Sequence, residues 1–154
     1  MTLSEVMTPE AKVCRETDAI IECAQIMADF GVGFLPVVND EGELVGTVTD
    51  RDITLRAVAK GMDLEGPIGE IMSDKPIHLQ EGDSLAQAEE LMMEGHIRRI
   101  VVVDDSKHPV GVVSLSDIVR NEDDSRAREV YETVAEPIEQ ERTVEQFAGM
   151  GCCG

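Results

Sequence analysis

The sequence predicts a mixed α/β (α+β) fold made of two copies of one β-α-β-β-α unit, and three observations predict it. First, sliding the chain along itself by 65 positions aligns Met7 with Met72, Asp18 with Asp83, Met27 with Met92 and Val37 with Val102. The same register aligns Gly46 with Gly111, Asp52 with Asp117 and Ile53 with Ile118. A match this long without a gap means that one supersecondary unit occurs twice. Second, apolar residues in each copy switch between helical spacing and strand-like runs in the same order. Third, hydrophobic content is 42% but aromatic content only 3%, with no Trp. The core is therefore built from Val, Ile, Leu, Ala and Met, which suits β-branched strands packed on helices.

The first copy spans residues 2–60. A brief helical lead-in, "LSEVM", precedes the short extended piece "AKVC". Thr17 or Asp18 then caps a helix whose Ile20, Ile21, Ala24, Met27 and Ala28 share one face. The strand "FLPVV" follows, and "NDEGE" carries the Asn, Asp and Gly chemistry of a hairpin. The strand "LVGTVT" ends where Asp50 begins the closing helix. Residues 61–67, "GMDLEGP", form a linker.

The second copy, residues 68–120, repeats the plan: lead-in "IGEIM", a helix capped by Asp83 or Ser84 with Leu85, Ala88, Leu91 and Met92 inward, strand "RRIVVVD", turn "DDSKHP", strand "PVGVVS". Leu115 begins its closing helix. Gly46 and Gly111 sit inside strands, where glycine weakens packing unless another group comes close. Their shared position predicts close approach in both copies. Residues 121–154 form an acidic helical or flexible C-terminal tail, with the closing helix running on to Glu136 and Pro137 ending it.

The formal net charge is −19, with 13 basic residues of which four are lysines. Such a chain offers no basic stripe for nucleic acid or an anionic membrane surface. A halophilic source and an ordinary self-repelling surface explain the acid equally well. No run approaches the length of a membrane helix, and "MTLSEVMTPE" lacks the regions of a signal peptide, so a cytoplasmic protein is expected. Cys14, Cys23, Cys152 and Cys153 form no disulfide framework for a chain of this length, and Cys14 and Cys23 read as buried fillers. The histidines, at 78, 96 and 108, have no nucleophile or carboxylate at a spacing that points to catalysis, so neither an enzyme nor a metal site is expected.

The polar groups common to both strand-to-helix junctions are Thr49 with Asp52 and Ser114 with Asp117. A hydroxyl at the strand end and a carboxylate three residues later lie on one side of the first helical turn. Two uses fit. The hydroxyl and the first amides can donate to a phosphate while the carboxylate accepts from ribose hydroxyls. Alternatively, the hydroxyl caps the helix and the Asp complements its dipole.

Taken together, the lead-ins "EVMTP" and "EIMSD", the segments "GVGFLPVVND" and "HIRRIVVVDD", and the endings "GTVTDRDI" and "GVVSLSDI" resemble a tandem pair of CBS domains, or Bateman module. The resemblance covers residues 2 to about 120. It implies two repeats packed through their sheets with pseudo-twofold symmetry, and two clefts for adenosine-containing ligands such as AMP, ADP, ATP or S-adenosylmethionine. It assigns the ribose carboxylate to Asp52 and Asp117, the phosphate-facing hydroxyl to Thr49 and Ser114, and a phosphate-reaching Arg to Arg98, with Arg99 beside it. The first copy departs from that pattern with Gly33 at the place of Arg98, and the second with Val101 at the place of Pro36. Arg98 and Arg99 are alternatively surface partners of Glu94 and Asp105.

The function implied is a regulatory sensor that acts through a homodimer or a separate effector protein. The alternative is a structural or redox interaction protein with non-binding clefts, acting through its acidic tail and the Cys152–Cys153 pair.

Overall fold

A computed structural model of the chain describes residues 1–136, so Pro137, Cys152 and Cys153 lie outside the described residues. Both units appear in the order expected. The first contains β2 (Cys14–Arg15), α2 (Ile20–Phe30), β3 (Phe34–Val38), β4 (Leu44–Thr49) and α3 (Asp50–Asp52), which continues as a π-helical stretch over Ile53–Val58. The second contains β5 (His78–Gln80), α4 (Leu85–Gly95), β6 (Arg99–Val103), β7 (Pro109–Ser114) and α5 (Leu115–Asn121). Within each unit a parallel pair, β2 with β3 or β5 with β6, precedes an antiparallel hairpin. The hairpins share a bulge, at Val37/Val38 and at Val102/Val103.

The lead-ins cross over. Helix α1 (Leu3–Val6) and strand β1 (Thr8–Pro9) precede the first unit but pack on the second, where Thr8 pairs with Val112 and Pro9 with Gly111. The 3-10 turn Ile68–Glu70 and Ser73 precede the second unit but pack on the first, where Ser73 pairs with Thr47. The supporting hydrogen bonds match residue for residue. Leu3 N–H donates to Asp83 O at 2.9 Å, and Ile68 N–H donates to Asp18 O at 2.8 Å.

This exchange accounts for the strand glycines. A Cβ on Gly46 would lie 2.5 Å from Met72 Sδ and 2.7 Å from Ser73 O, and one on Gly111 2.5 Å from Met7 Sδ and 2.8 Å from Thr8 O. Each glycine lets the other unit's lead-in cross its strand.

Two interior clusters result. One joins Leu3 and Val6 to Leu85, Ala88, Met92, Ile100, Val113 and Ile118; the other joins Ile68 and Ile71 to Ile20, Cys23, Leu35, Val48 and Ala57. Burying a Leu- or Ile-sized side chain stabilises by roughly 1.5–3 kcal/mol, so each lead-in ties the units together through its two apolar anchors. A third cluster, Leu44, Val101 and Val103 with Phe34 against it, connects residues of the two sheets.

Three local expectations need correction. Helix α2 has Ala19 at its N-cap, because the Asp18 carboxylate instead accepts from Arg15 N–H, and Glu22 reaches back to the Ala19 N–H. In the second unit Ser84 is the cap, as one of the two expected candidates. On α2 the inward positions are Ile20, Cys23 and Met27, while Ala28 is exposed.

The closing helix of the second unit does not run unbroken to Glu136. It ends at Asn121, Glu122 is extended, and a separate helix α6 (Asp124–Ala135) begins with Asp123 accepting from Arg126 N–H. An aspartate at the cap stabilises a new helical start better than it stabilises a helix interior.

Candidate functional site

Both junctions fold as capping boxes. In the first, Thr49 Oγ1 accepts from Asp52 N–H at 3.1 Å and Asp52 Oδ2 accepts from Thr49 N–H at 2.9 Å. In the second, Ser114 Oγ accepts from Asp117 N–H at 3.3 Å and Asp117 Oδ2 accepts from Ser114 N–H at 2.8 Å. Each pair thus satisfies two backbone donors at the helix start. Capping does not exhaust these carboxylates, since each has a second oxygen.

The second oxygens differ in their surroundings. Asp117 Oδ1 accepts from Arg120 Nη2 at 2.7 Å, and Asp117 is only 4% exposed. Arg120 itself is 68% exposed, so its guanidinium is free to rotate away and the pair adds little stability. Asp52 Oδ1 faces Arg56 Nε at 3.7 Å, beyond hydrogen-bond reach, because Arg56 Nη1 donates to Ile71 O at 3.0 Å.

Arg98 and Arg99 lie at the start of β6 beside Ser114, joined through the Arg99–Ser114 register and the Leu115 N–H bond to Arg98 O. Among the described residues neither Arg98 nor Arg99 forms an ion pair, including with Glu94 or Asp105. They line a cleft of about 380 Å³ together with Ser114, Leu115, Ser116, Val119, Arg120 and Tyr131. Arg99 and Ser114 also face an adjoining cleft of about 400 Å³, whose other walls include Thr8, Lys12, Phe30 and Phe34. Lys12 lies 4.4 Å over the Phe30 ring and Arg99 6.0 Å over the Phe34 ring. Such contacts hold a cation without an acidic partner.

Of the expected site residues, the structure therefore groups Ser114, Arg98 and Arg99, with Asp117 beneath Ser114. Thr49 and Asp52 line neither of these clefts. The sequence reading missed Lys12, Phe30, Phe34 and Tyr131; Arg120 stood out only as one of several cations near the junctions. One clue was available for Lys12, since lysine is scarce in this chain; Tyr131 gave none, because α6 lies beyond the repeat.

Cys14 and Cys23 are buried, as expected of fillers. The neighbouring Cys23 thiol, together with burial, pushes the Cys14 thiol up, so it stays protonated. Among the described residues no three His, Cys, Asp or Glu side chains gather as a metal site, and no helix is long and apolar enough to cross a membrane.

Comparison with known proteins agrees with the two-repeat fold. The model of the CBS domain matches twice, at residues 3–58 and 68–124. A CBS domain-containing protein of Bacillus subtilis, YhcV, is 36% identical over 121 residues, covering 79% of this chain and 85% of its own. The CBS domain pair of protein MJ0100, solved with 5-methylthioadenosine and S-adenosyl-L-methionine, superposes with a TM-score of 0.70 at 28% identity, covering 78% of this chain and 94% of its own. CBSX2, solved with AMP, gives a TM-score of 0.66 at 25% identity over 77% of this chain and 93% of its own. With both units matched in sequence and in fold, the chain belongs to the CBS-domain family, as a tandem pair of repeats followed by a further helix.

Proposed function

We propose that the chain is a regulatory module that binds an adenosine-containing ligand in the cleft around Ser114 and passes the binding event to a homodimer or a separate effector protein. The observation that carries this reading is local charge. In a chain of net charge −19, the paired clefts around Ser114 have Lys12, Arg98, Arg99 and Arg120 in their walls against one acidic residue, Glu10. Long-range repulsion of a phosphate is screened within roughly 8–10 Å, so cations inside that distance decide binding.

The roles follow from reach and donor type. Arg98 and Arg99 face phosphate oxygens, the Ser114 hydroxyl joins them by turning its proton from Asp117 Oδ2, and Asp117 Oδ1 accepts from ribose hydroxyls once Arg120 leaves it. Asp52 and Thr49 form the corresponding pair in the first repeat, where Gly33 takes the place of Arg98. Relatives solved with AMP and with S-adenosyl-L-methionine support the adenosine class. Occupancy shifts an assembly only as far as the ligand prefers one arrangement, so the signal is a difference in affinity.

Calorimetric titration of the full chain with AMP, ADP, ATP and S-adenosylmethionine tests the reading. At least one ligand should bind, with Asp117→Ala weakening it more than tenfold and Asp52→Ala weakening it less. Light scattering with and without that ligand reads the assembly. Absence of binding by all four would remove the sensor function.

A further inference from the structure

Helix α6 is the one described helix that follows the two CBS matches, and it contributes a wall to the cleft. Its Ala127, Val130 and Val134 are buried, the last two joining the core cluster of the second repeat. Tyr131, its one aromatic residue, is instead 49% exposed and lines the cleft of Arg98, Arg99, Ser114 and Arg120. The cleft thus presents three guanidinium groups, the hydroxyls of Ser114 and Ser116, and a phenol. Its lining includes no carboxylate, because Asp117 lies beneath and is held by Arg120.

The docking of α6 is strong in its apolar part and weak in its polar part. Arg126 Nε donates to Glu89 Oε2 at 2.8 Å, and Glu89 is 2% exposed with Oε1 lacking any partner. A half-satisfied buried carboxylate lowers the margin by which the docked helix is preferred. A contact added at Tyr131 therefore shifts a balance that is not already saturated.

We infer that a ligand carrying two or more phosphates, seated among Arg98, Arg99 and Arg120, packs against Tyr131 and tightens the docking of α6, making this helix the element that reports occupancy. The inference rests on the proposed site around Ser114 but adds the phosphate count and the output element. Phosphate oxygens draw Arg120 away from Asp117, so one event both completes the anion site and frees the carboxylate. Coupling is reciprocal: whatever ligand does for α6, docked α6 does for ligand affinity.

The experiment uses the full chain with three probes: ATP, S-adenosylmethionine and inorganic tripolyphosphate. Calorimetry gives affinity, and amide hydrogen exchange over residues 124–135 gives docking. With ATP at about ten times its Kd, exchange in α6 should slow about tenfold. Tyr131→Ala should weaken ATP by about tenfold, the scale of one lost aromatic contact to a ligand, and abolish the protection. Tyr131→Phe should restore most of both if the ring makes the contact. S-adenosylmethionine should bind more weakly than ATP.

If ATP binds, protection stops at Arg120 and Tyr131→Ala binds as the parent does, α6 is a bystander and only the adenosine function stands. If tripolyphosphate protects α6 but no adenosine ligand binds, the adenosine function fails and the coupling stands. If no probe binds, both fail.

Discussion

At the first junction the Asp50 carboxylate lies against Gly33, where a Cβ would be 2.8 Å from Oδ2; at the second, the same two places hold Leu115 and Arg98. The backbone bond between them is the same, Asp50 N–H to Gly33 O at 3.0 Å and Leu115 N–H to Arg98 O at 2.8 Å. One repeat has therefore placed an acid, and the other a base, on an identical frame. The helices that follow also differ, the first continuing as a π-helical stretch and the second as a regular turn that brings Arg120 to Asp117. The frame and the hydroxyl–carboxylate pair of each junction recur in both repeats, whereas the groups at the places of Gly33/Arg98 and Asp50/Leu115 do not. Asp50 and Arg98 are exposed, where a charge has little effect on folding, whereas Leu115 is buried in the second core.

The largest effect should come from what the repeats share. Gly46→Ala and Gly111→Ala each place a methyl group under 3 Å from a backbone oxygen of the crossing lead-in. That oxygen cannot move away without disturbing the lead-in, which anchors the opposite core. Each substitution should cost about 3 kcal/mol, the upper end for overpacking. Urea unfolding should show two similar losses in midpoint. A large loss for one glycine and none for the other would mean that the crossed lead-ins are not equivalent.

A smaller effect, confined to the second repeat, tests what they do not share. Glu89 occupies the place of Ala24, and its carboxylate fixes Arg126 of α6. Glu89→Ala should cost about 2 kcal/mol, less than a fully buried pair because Arg126 is 30% exposed and can turn to water. Burial, then the neighbouring Glu122 carboxyl, raise the Glu89 pKa above the ordinary glutamate range, and Arg126 opposes them. The folded state thus binds this proton more tightly than the unfolded chain. Its stabilising contribution is full below the unfolded value and is lost as pH rises through the folded one. Glu89→Gln should flatten that part of the stability profile in urea titrations from pH 4 to 8. A profile parallel to that of the parent would show that Glu89 ionises without cost.

The repeat made the frame legible. Strand order, the strand glycines and the starts of the closing helices follow from residues that recur at one offset, while the hairpins were read from separate turn chemistry in each copy. The exchange of lead-ins was hidden, because Leu3 and Ile68 have the same apolar pattern whichever core receives them. The N-cap at Ala19 was hidden for a different reason. Two better capping residues precede it, and the Asp18 carboxylate is diverted to Arg15 N–H. At the candidate site, the Thr49–Asp52 and Ser114–Asp117 pairs were visible in the repeat, while Arg98 and Arg99 were pointed to by the family resemblance. Tyr131 and Glu89 were not, since one lies outside the repeat and the other is a glutamate at a position where its counterpart is alanine.

The smallest effect concerns the hydroxyls. Thr49 Oγ1 makes one capping bond, to Asp52 N–H, whereas Ser114 Oγ both accepts from Asp117 N–H and donates to Asp117 Oδ2 at 3.0 Å. Loss of a capping hydroxyl costs about 1 kcal/mol, so Thr49→Ala should lower stability by that amount. Ser114→Ala should cost about 1.5 kcal/mol, because it also removes a donor from a buried carboxylate. The exchanges Thr49→Ser and Ser114→Thr keep the oxygen and should stay within about 0.5 kcal/mol of the parent. Thermal unfolding of the four variants separates these cases. If Thr49→Ala and Ser114→Ala prove equal, the donated bond to Asp117 contributes nothing to stability.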